Sequence, residues 1–231
     1  MRRDPYARFA AHYDRRWAGF TARTHAAVRA QLPASLADTR LLDVGCGTGT
    51  LIAGILADWP AVAAITGVDA SASMLARAAA KLAATPRGNT VTLLEQRGEA
   101  PDLPPASFDI VLCANTFHYF TDPAATVRHL RTLLAPGGRL ILEDYSKRGP
   151  LARYGEWAIR RYDPAHRRAY TLAEARRLVA DAGLTIAHQA GFRIDRLWRG
   201  WIVTGQRPPA PQGTPETRSA PLPPGATHPP G

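Results

Sequence analysis

The residues best suited to chemistry stand in one short string, Asp43-Val44-Gly45-Cys46-Gly47-Thr48-Gly49. Three glycines at alternate positions let a backbone turn sharply and approach a ligand closely. The fingerprint of a nicotinamide dinucleotide site is Gly-x-Gly-x-x-Gly. Here the spacing is Gly-x-Gly-x-Gly, which argues against a pyrophosphate cradle and hence against a dehydrogenase. A second acid, Asp69, follows 24 residues after Gly45. A carboxylate at that place can accept hydrogen bonds from both hydroxyls of a ribose. It can also cap the helix that Asp69, Ala70 and Ser71 precede. Glu99, in Arg97-Gly98-Glu99-Ala100, can meet the exocyclic amine of a purine. His118 lies in Asn115-Thr116-Phe117-His118-Tyr119-Phe120 and is the best general-base candidate, because imidazole titrates near neutral pH. The competing reading of His118 is a residue that lines a pocket near the helix after Asp122-Pro123. Cys46 lacks the activating neighbours that a catalytic thiolate needs.

These residues must be held by ordered elements, and the apolar pattern supplies them. Short apolar runs at Arg40 to Val44, Ala63 to Val68, Val91 to Glu95, Phe108 to Ala114 and Arg139 to Glu143 predict five buried strands. Helical patterns fall between them, at Thr50 to Trp59, Ser71 to Ala84 and Pro123 to Leu134. Continuous apolar strands separated by helices predict a parallel sheet covered on both faces. Tyr6, Phe9, Tyr13, Trp17 and Phe20 are three or four apart and predict a helix over 5–32. After strand five, Pro150 to Tyr162 and Thr171 to Ala182 read as helices. Two strands follow, Leu184 to Ile194 and Leu197 to Gln206, with Asp195 and Arg196 between them. So short a connection forbids a parallel crossover and predicts an antiparallel pair.

Length and composition bound the answer. The chain has 231 residues, of which 45% are apolar, and suits a single domain with a real core. No run approaches the ~18 apolar residues of a membrane span. The basic start, Met1-Arg2-Arg3, is followed by no apolar stretch of a secretory signal. Two cysteines, Cys46 and Cys113, build no disulfide framework and fit a cytoplasmic protein. The formal charge of +10 is uneven: residues 1–40 carry +5, 41–145 carry −3 and 146–206 carry +7. The surplus is almost all Arg and lies on the flanks of a mildly acidic centre. It fits a coding bias, or an anionic partner such as nucleic acid or a lipid surface. From 207 onward the chain is rich in proline and poor in large apolar residues, and is expected to be a disordered tail.

Together the motifs resemble the class I, Rossmann-like S-adenosylmethionine (SAM) dependent methyltransferases. Leu42 to Gly49 is similar to the family's glycine-rich first motif, and Val68-Asp69 to its acidic second motif. Gly98-Glu99-Ala100 resembles its adenine-contacting segment, where Asp is commoner than Glu. Ser107 to Val111 resembles its entry to strand four, and Leu133 to Leu140 its turn into strand five. The resemblance covers about residues 38–206. It implies a seven-stranded, mostly parallel α/β sheet with a C-terminal antiparallel hairpin and helices on both faces. It implies SAM as cofactor, with Gly45, Cys46, Gly47 and Gly49 in the lining loop and Asp43 near the amino group of SAM. Asp69 and Ala70 would then face the ribose, Met74 and Glu99 the adenine, and Asn115 the methyl donor.

The resemblance also implies where the acceptor sits. Residues 1–37 form an N-terminal helical cap, and an insert at about 146–170 covers the acceptor. Tyr13, in His12-Tyr13-Asp14, is similar to an N-terminal Tyr-Asp of many small-molecule members. Tyr145, Tyr154 and Trp157 are expected to line the acceptor pocket beside His118; ordinary packing is their competing role. Relatives that methylate nucleobase amines carry Asn/Asp-Pro-Pro-aromatic after strand four. Here Asn115 is followed by Thr116-Phe117, which lowers the nucleic-acid reading. The expectation is a small or lipophilic acceptor, O-, N- or C-methylated, with RNA or another nucleic acid as the alternative. A lipophilic acceptor would let the Arg-rich region rest on an anionic membrane surface. A SAM-fold binding protein without catalysis is a further class, but an intact glycine loop and Asp69 speak against it. No metal site is expected.

Overall fold

The computed structural model describes residues 10–146, 161, 163 and 165–210, and the statements below concern these. Seven strands form one sheet in the order β3-β2-β1-β4-β5-β7-β6. They are β1 (Arg40–Val44), β2 (Ala64–Asp69), β3 (Val91–Glu95), β4 (Phe108–Ala114), β5 (Leu134–Tyr145), β6 (Thr185–Arg193) and β7 (Arg199–Gln206). The first five are parallel, and β7 is antiparallel to both β5 and β6. The predicted fold class is therefore observed, hairpin included. The order reverses at β1, so the C-terminal ends of β1 and β4 flank a natural ligand crevice.

Helices α1 (Tyr13–Arg29), α2 (Thr50–Asp58), α3 (Ala72–Ala83), α4 (Pro123–Leu133) and α5 (Leu172–Asp181) cover the sheet. Their starts are encoded locally. The Ser71 hydroxyl accepts from the Met74 amide, Asp122 accepts from Ala125, and Thr171 with Glu174 forms a reciprocal capping box. Alternate strand residues feed two cores. Leu42, Val44, Leu140, Leu142 and Trp201 join Phe117 and helices α4 and α5 on one face. Leu41, Ile65, Ile141 and Ile202 join Val28, Ile52 and Ile55 on the other. Burying each such side chain contributes roughly 1.5–3 kcal/mol. The Trp201 indole N–H donates to the Tyr170 carbonyl at 3.0 Å, so its burial strands no donor.

Three boundaries differ from expectation. The first helix starts at Tyr13, after a 3-10 turn over Ala10–His12, and its buried residues are Thr24 and Val28. Strand β5 begins at Leu134 rather than Arg139, because Pro136-Gly137-Gly138 is held along the sheet and not thrown out as a turn. Leu134 is paired with Phe108, and Gly137 and Gly138 exchange backbone bonds with Arg207. The β6–β7 connection spans residues 194–198, longer than Asp195 and Arg196 alone. Asp195 Oδ1 accepts from the amides of Leu197 and Trp198 and closes it. Of the expected helix at 150–162 only residue 161 is described; Tyr154 and Trp157 lie outside the described residues, as does the chain beyond 210. Among the described residues no helix is long and apolar enough to cross a membrane.

Candidate active site

The glycine loop leaves β1 and is pinned to β2. The amides of Gly45 and Cys46 both donate to the Val68 carbonyl, at 2.8 and 3.0 Å. Gly45, Gly47 and Gly49 have φ of 74°, 54° and 72°, a region that side chains disfavour. A Cβ on Gly45 would lie 2.3 Å from the Thr116 hydroxyl, so the loop and the end of β4 touch there. A Cβ on Gly47 would meet nothing within 4 Å, so the loop borders open space at that point. Asp69 ends β2, and its two carboxylate oxygens accept from the amides of Gly47 and Ser71, both at 2.9 Å. Ala70 beside it is exposed, and Met74 is buried in the first turn of α3.

Asp43 is buried at the end of β1, and its Oδ2 has no hydrogen-bond partner. Burial and the Asp69 charge push its pKa up to about 7. An orphaned acceptor under an open glycine loop fits the donor-rich, positively charged methionine end of SAM. Burial, then the charges of Asp43 and Asp69, push the Cys46 thiol up, which removes it as a nucleophile near neutral pH.

Glu99 has two partners within the protein. It accepts from the Thr121 amide at 2.7 Å and pairs with Arg97. Burial alone would raise its pKa, but the Thr121 and Arg97 hydrogen bonds outweigh it and the carboxyl stays below its ordinary value. Asn115 follows β4 with φ of 52°, a left-handed conformation that Asn tolerates better than most residues. Its Nδ2 donates to the Thr24 hydroxyl on α1 at 2.8 Å, and its buried Oδ1 has no partner.

His118 sits in a 3-10 turn over Phe117–Tyr119 and is buried. Its partner is Asp144, near the end of β5. Both Asp144 oxygens lie 2.9 Å from the His118 Nδ1, and Oδ2 also accepts the His118 amide at 2.9 Å. The Tyr145 amide donates to Oδ1 at 2.7 Å. Around them stand Tyr119, whose hydroxyl donates to Asp163 at 2.6 Å, and Tyr145, whose hydroxyl is 2.9 Å from the His166 Nδ1. The His118 carbonyl accepts from the amides of Arg167 and Arg168, which docks that segment on the site. Asp144, Asp163 and His166 escaped the sequence reading. Adjacent acids at the C-terminal end of a buried strand, Glu143-Asp144, were the available signal, since ligands bind at that edge.

Tyr13 opens α1 above this region. Burial, then the charges of Asp69, Asp163, Asp14 and Asp144, push its pKa up to about 12. One side chain thus feels both the glycine-loop acid and the acids around His118. Next to it, Asp14 accepts from the hydroxyls of Thr48 (2.5 Å) and Thr50 (3.3 Å) and pairs with Lys81 at 2.7 Å. This ties the start of α1 to the glycine loop. Burial would raise the Asp14 carboxyl, yet the Lys81 and Thr48 hydrogen bonds and the Lys81 charge hold it below its usual value. Of the sequence-predicted residues, the structure gathers Tyr13, Asp43, Gly45, Cys46, Gly47, Asp69, Asn115, His118 and Tyr145 at one edge of the sheet. Glu99, on the loop after β3, is engaged with Thr121 and Arg97.

Comparison with known proteins agrees with this geometry. A family model described as a methyltransferase domain matches residues 42–140. The chain is 29% identical over 174 residues to an uncharacterized methyltransferase, YcgJ, of Bacillus subtilis, covering 74% of this chain and 67% of that one. The crystal structure of YcgJ superimposes with a TM-score of 0.69 at 18% identity, over 81% and 99% of the two chains. The ubiquinone biosynthesis O-methyltransferase of Aeromonas salmonicida is 27% identical over 170 residues, 68% of each chain. A malonyl-[acyl-carrier protein] O-methyltransferase of Paenibacillus is 29% identical over 110 residues, 47% of this chain but only 39% of that one. With an intact glycine loop, an acid at the end of β2 and the reversed hairpin in place, the chain belongs to the class I SAM-dependent methyltransferases, enzymes whose cofactor is S-adenosylmethionine.

Proposed function

We propose that this chain transfers the methyl group of SAM to a small or lipophilic acceptor held above the ends of β4 and β5, with His118 as general base. The observation that carries this reading is the His118–Asp144 pair. A buried carboxylate on Nδ1 orients the ring and leaves Nε2 as the nitrogen not engaged by Asp144. Bound SAM supplies a sulfonium methyl that needs no further activation, so positioning does much of the work. Asp43 would accept hydrogen bonds from the SAM amino group, the glycine loop would pack against it, and Asp69 would receive the ribose hydroxyls. Met74 would border the adenine, and Tyr13 would cover the cofactor from α1. His118 takes the proton that an O–H or N–H acceptor must lose, and Tyr145 orders the His166 ring beside it.

The named relatives support an acceptor of this kind, since one O-methylates in ubiquinone biosynthesis and another acts on a malonyl group on acyl-carrier protein. The floor of the site is acidic, with Asp43, Asp69, Asp144 and Asp163, which gives no cradle for a nucleic-acid backbone. The test has two parts. SAM is titrated calorimetrically against wild type and Asp69→Ala; binding weakened at least about tenfold in the variant is expected. SAM consumption is then screened over quinols, phenols, amines, phospholipids and RNA, with product mass as the readout. Turnover of RNA alone would overturn the acceptor reading. Unchanged SAM affinity in Asp69→Ala would overturn the cofactor assignments.

A further inference from the structure

Residues 146–206 carry a net charge of +7, and the proposed methyl transfer uses none of its arginines. The structure gives part of that surplus a place. A cleft of about 650 Å³ opens on the α5 side of the β6–β7 hairpin, against the first turns of α5. That volume is within the range of small-molecule sites, ~300–1,000 Å³. Ser146, Thr171, Leu172, Arg176, Gln189 and Arg199 are among its walls. None of the residues proposed for methyl transfer lines it, and none of its described lining residues is acidic.

Strand register sets what faces the cleft. Trp201 packs in the core with α5, so its cross-strand partner and the residues two away from it on β7 face the same side. Gly191 is opposite Trp201, Gln189 is opposite Val203, and Arg199 is two residues before Trp201. Gly191 leaves the floor open. A Cβ there would meet only the Gly200 carbonyl oxygen within 4 Å, at 3.9 Å, and the backbone is outside the left-handed region. Leu172 and Arg176, one turn apart on α5, form the facing wall.

Two guanidinium-bearing residues border this space without an acid. Among the described residues, neither Arg176 nor Arg199 makes a side-chain hydrogen bond or ion pair. The acids close to them in sequence are engaged, Glu174 with Thr171 and Arg168, and Asp195 with the amides of Leu197 and Trp198. Arg199 is also paired directly with Arg193 on β6, and like charges directly opposite on a sheet are destabilising. An anion in the cleft would offset that repulsion. The guanidinium fork matches the geometry of a carboxylate or a phosphate.

We propose that this cleft binds a small organic anion, a carboxylate or phosphate on a short apolar body, with Arg176 and Arg199 pairing the anionic group and Leu172 and Gly191 taking the apolar part. The site is separate from the cofactor and from His118, and its occupancy does not depend on methyl transfer.

Calorimetry on the full chain compares phenyl phosphate, benzoate, benzyl alcohol and inorganic phosphate. At least one of the two organic anions is expected to bind about tenfold or more tightly than the alcohol, and the tighter of the two identifies the anionic group. Arg176→Gln and Arg199→Gln should each weaken that anion at least about fivefold. Gly191→Val fills the floor with a residue that suits a strand, and should abolish binding with the melting temperature little changed. If that variant fails to fold, the two exposed arginines carry the test. Equal affinity for the alcohol and both organic anions, or anion binding that survives the arginine substitutions, would overturn the site. Inorganic phosphate bound as tightly as phenyl phosphate would reduce it to an ion contact and overturn the organic ligand.

Discussion

Asp144 grips His118 at two places, accepting the backbone N–H through Oδ2 and lying 2.9 Å from Nδ1 through both oxygens. The carboxylate selects the tautomer with the proton on Nδ1, and Nε2 is then the basic nitrogen. An Asn at 144 can donate to Nδ1 and would invert the tautomer. With the acceptor that the screen identifies, Asp144→Asn should lower kcat by ~10²–10⁴ and leave the KM for SAM within about twofold. ¹⁵N NMR of the imidazole checks the tautomer directly. A kcat within threefold of wild type would remove the dyad from the chemistry.

Two neighbouring glycines should fail for different reasons. Gly45→Ala puts a Cβ into Thr116 and strains a backbone at φ 74°, so about 2 kcal/mol or more of stability is lost. Gly47→Ala has a φ of 54° but an open surrounding, so its stability cost is about 1 kcal/mol. Its methyl instead enters the space beside the loop, and SAM binding should weaken more than folding does. Thermal melts and SAM titrations on the two variants separate the effects.

The proposed role of Asp43 predicts that cofactor binding depends on pH. Burial, then Asp69, raises its folded pKa from 3.8 to about 7. A carboxyl raised on folding costs stability as pH climbs from its unfolded value to its folded one, here from about 4 to about 7. The ligand-free protein should therefore be less stable at pH 7.5 than at pH 5 through this group, and Asp43→Asn should flatten that part of the profile. In its proposed role Asp43 would accept from the SAM ammonium as the ionised carboxylate, so affinity should rise as pH passes through about 7. Calorimetry in buffers of differing ionisation heat should detect proton release on binding at pH 6.5.

The clasp of Asp14 on Thr48, Thr50 and Lys81 acts on a small scale. Its exposed ion pair contributes under about 1 kcal/mol. Because the Asp14 carboxyl is held low in the folded chain, this contribution is present above about pH 4 and disappears as pH falls through the lowered value. Asp14→Ala should barely move the melting temperature at pH 7. It should speed SAM release several-fold, since it frees the start of α1 from the loop, and stopped-flow dissociation measures this.

Much of this site was written in local sequence. The turn chemistry of Gly45, Gly47 and Gly49, the caps at Ser71, Asp122 and Thr171, and the apolar strand runs are short-range signals. They determined the order of strands and helices, the position of the glycine loop and the short reversed hairpin. Charge was legible as composition but not as location. A net +10 fitted either a coding bias or an anionic partner, and the edge where the site forms is lined by Asp43, Asp69, Glu143, Asp144 and Asp163. Only the tertiary structure decided which distant residues meet. Asp144 reaches His118 across 26 positions, Asn115 reaches Thr24 across 91, and Asp14 reaches Lys81 across 67. Such pairings follow from which strands lie side by side and which face each residue takes. A one-dimensional pattern encodes the alternation of faces but not the neighbour across the gap.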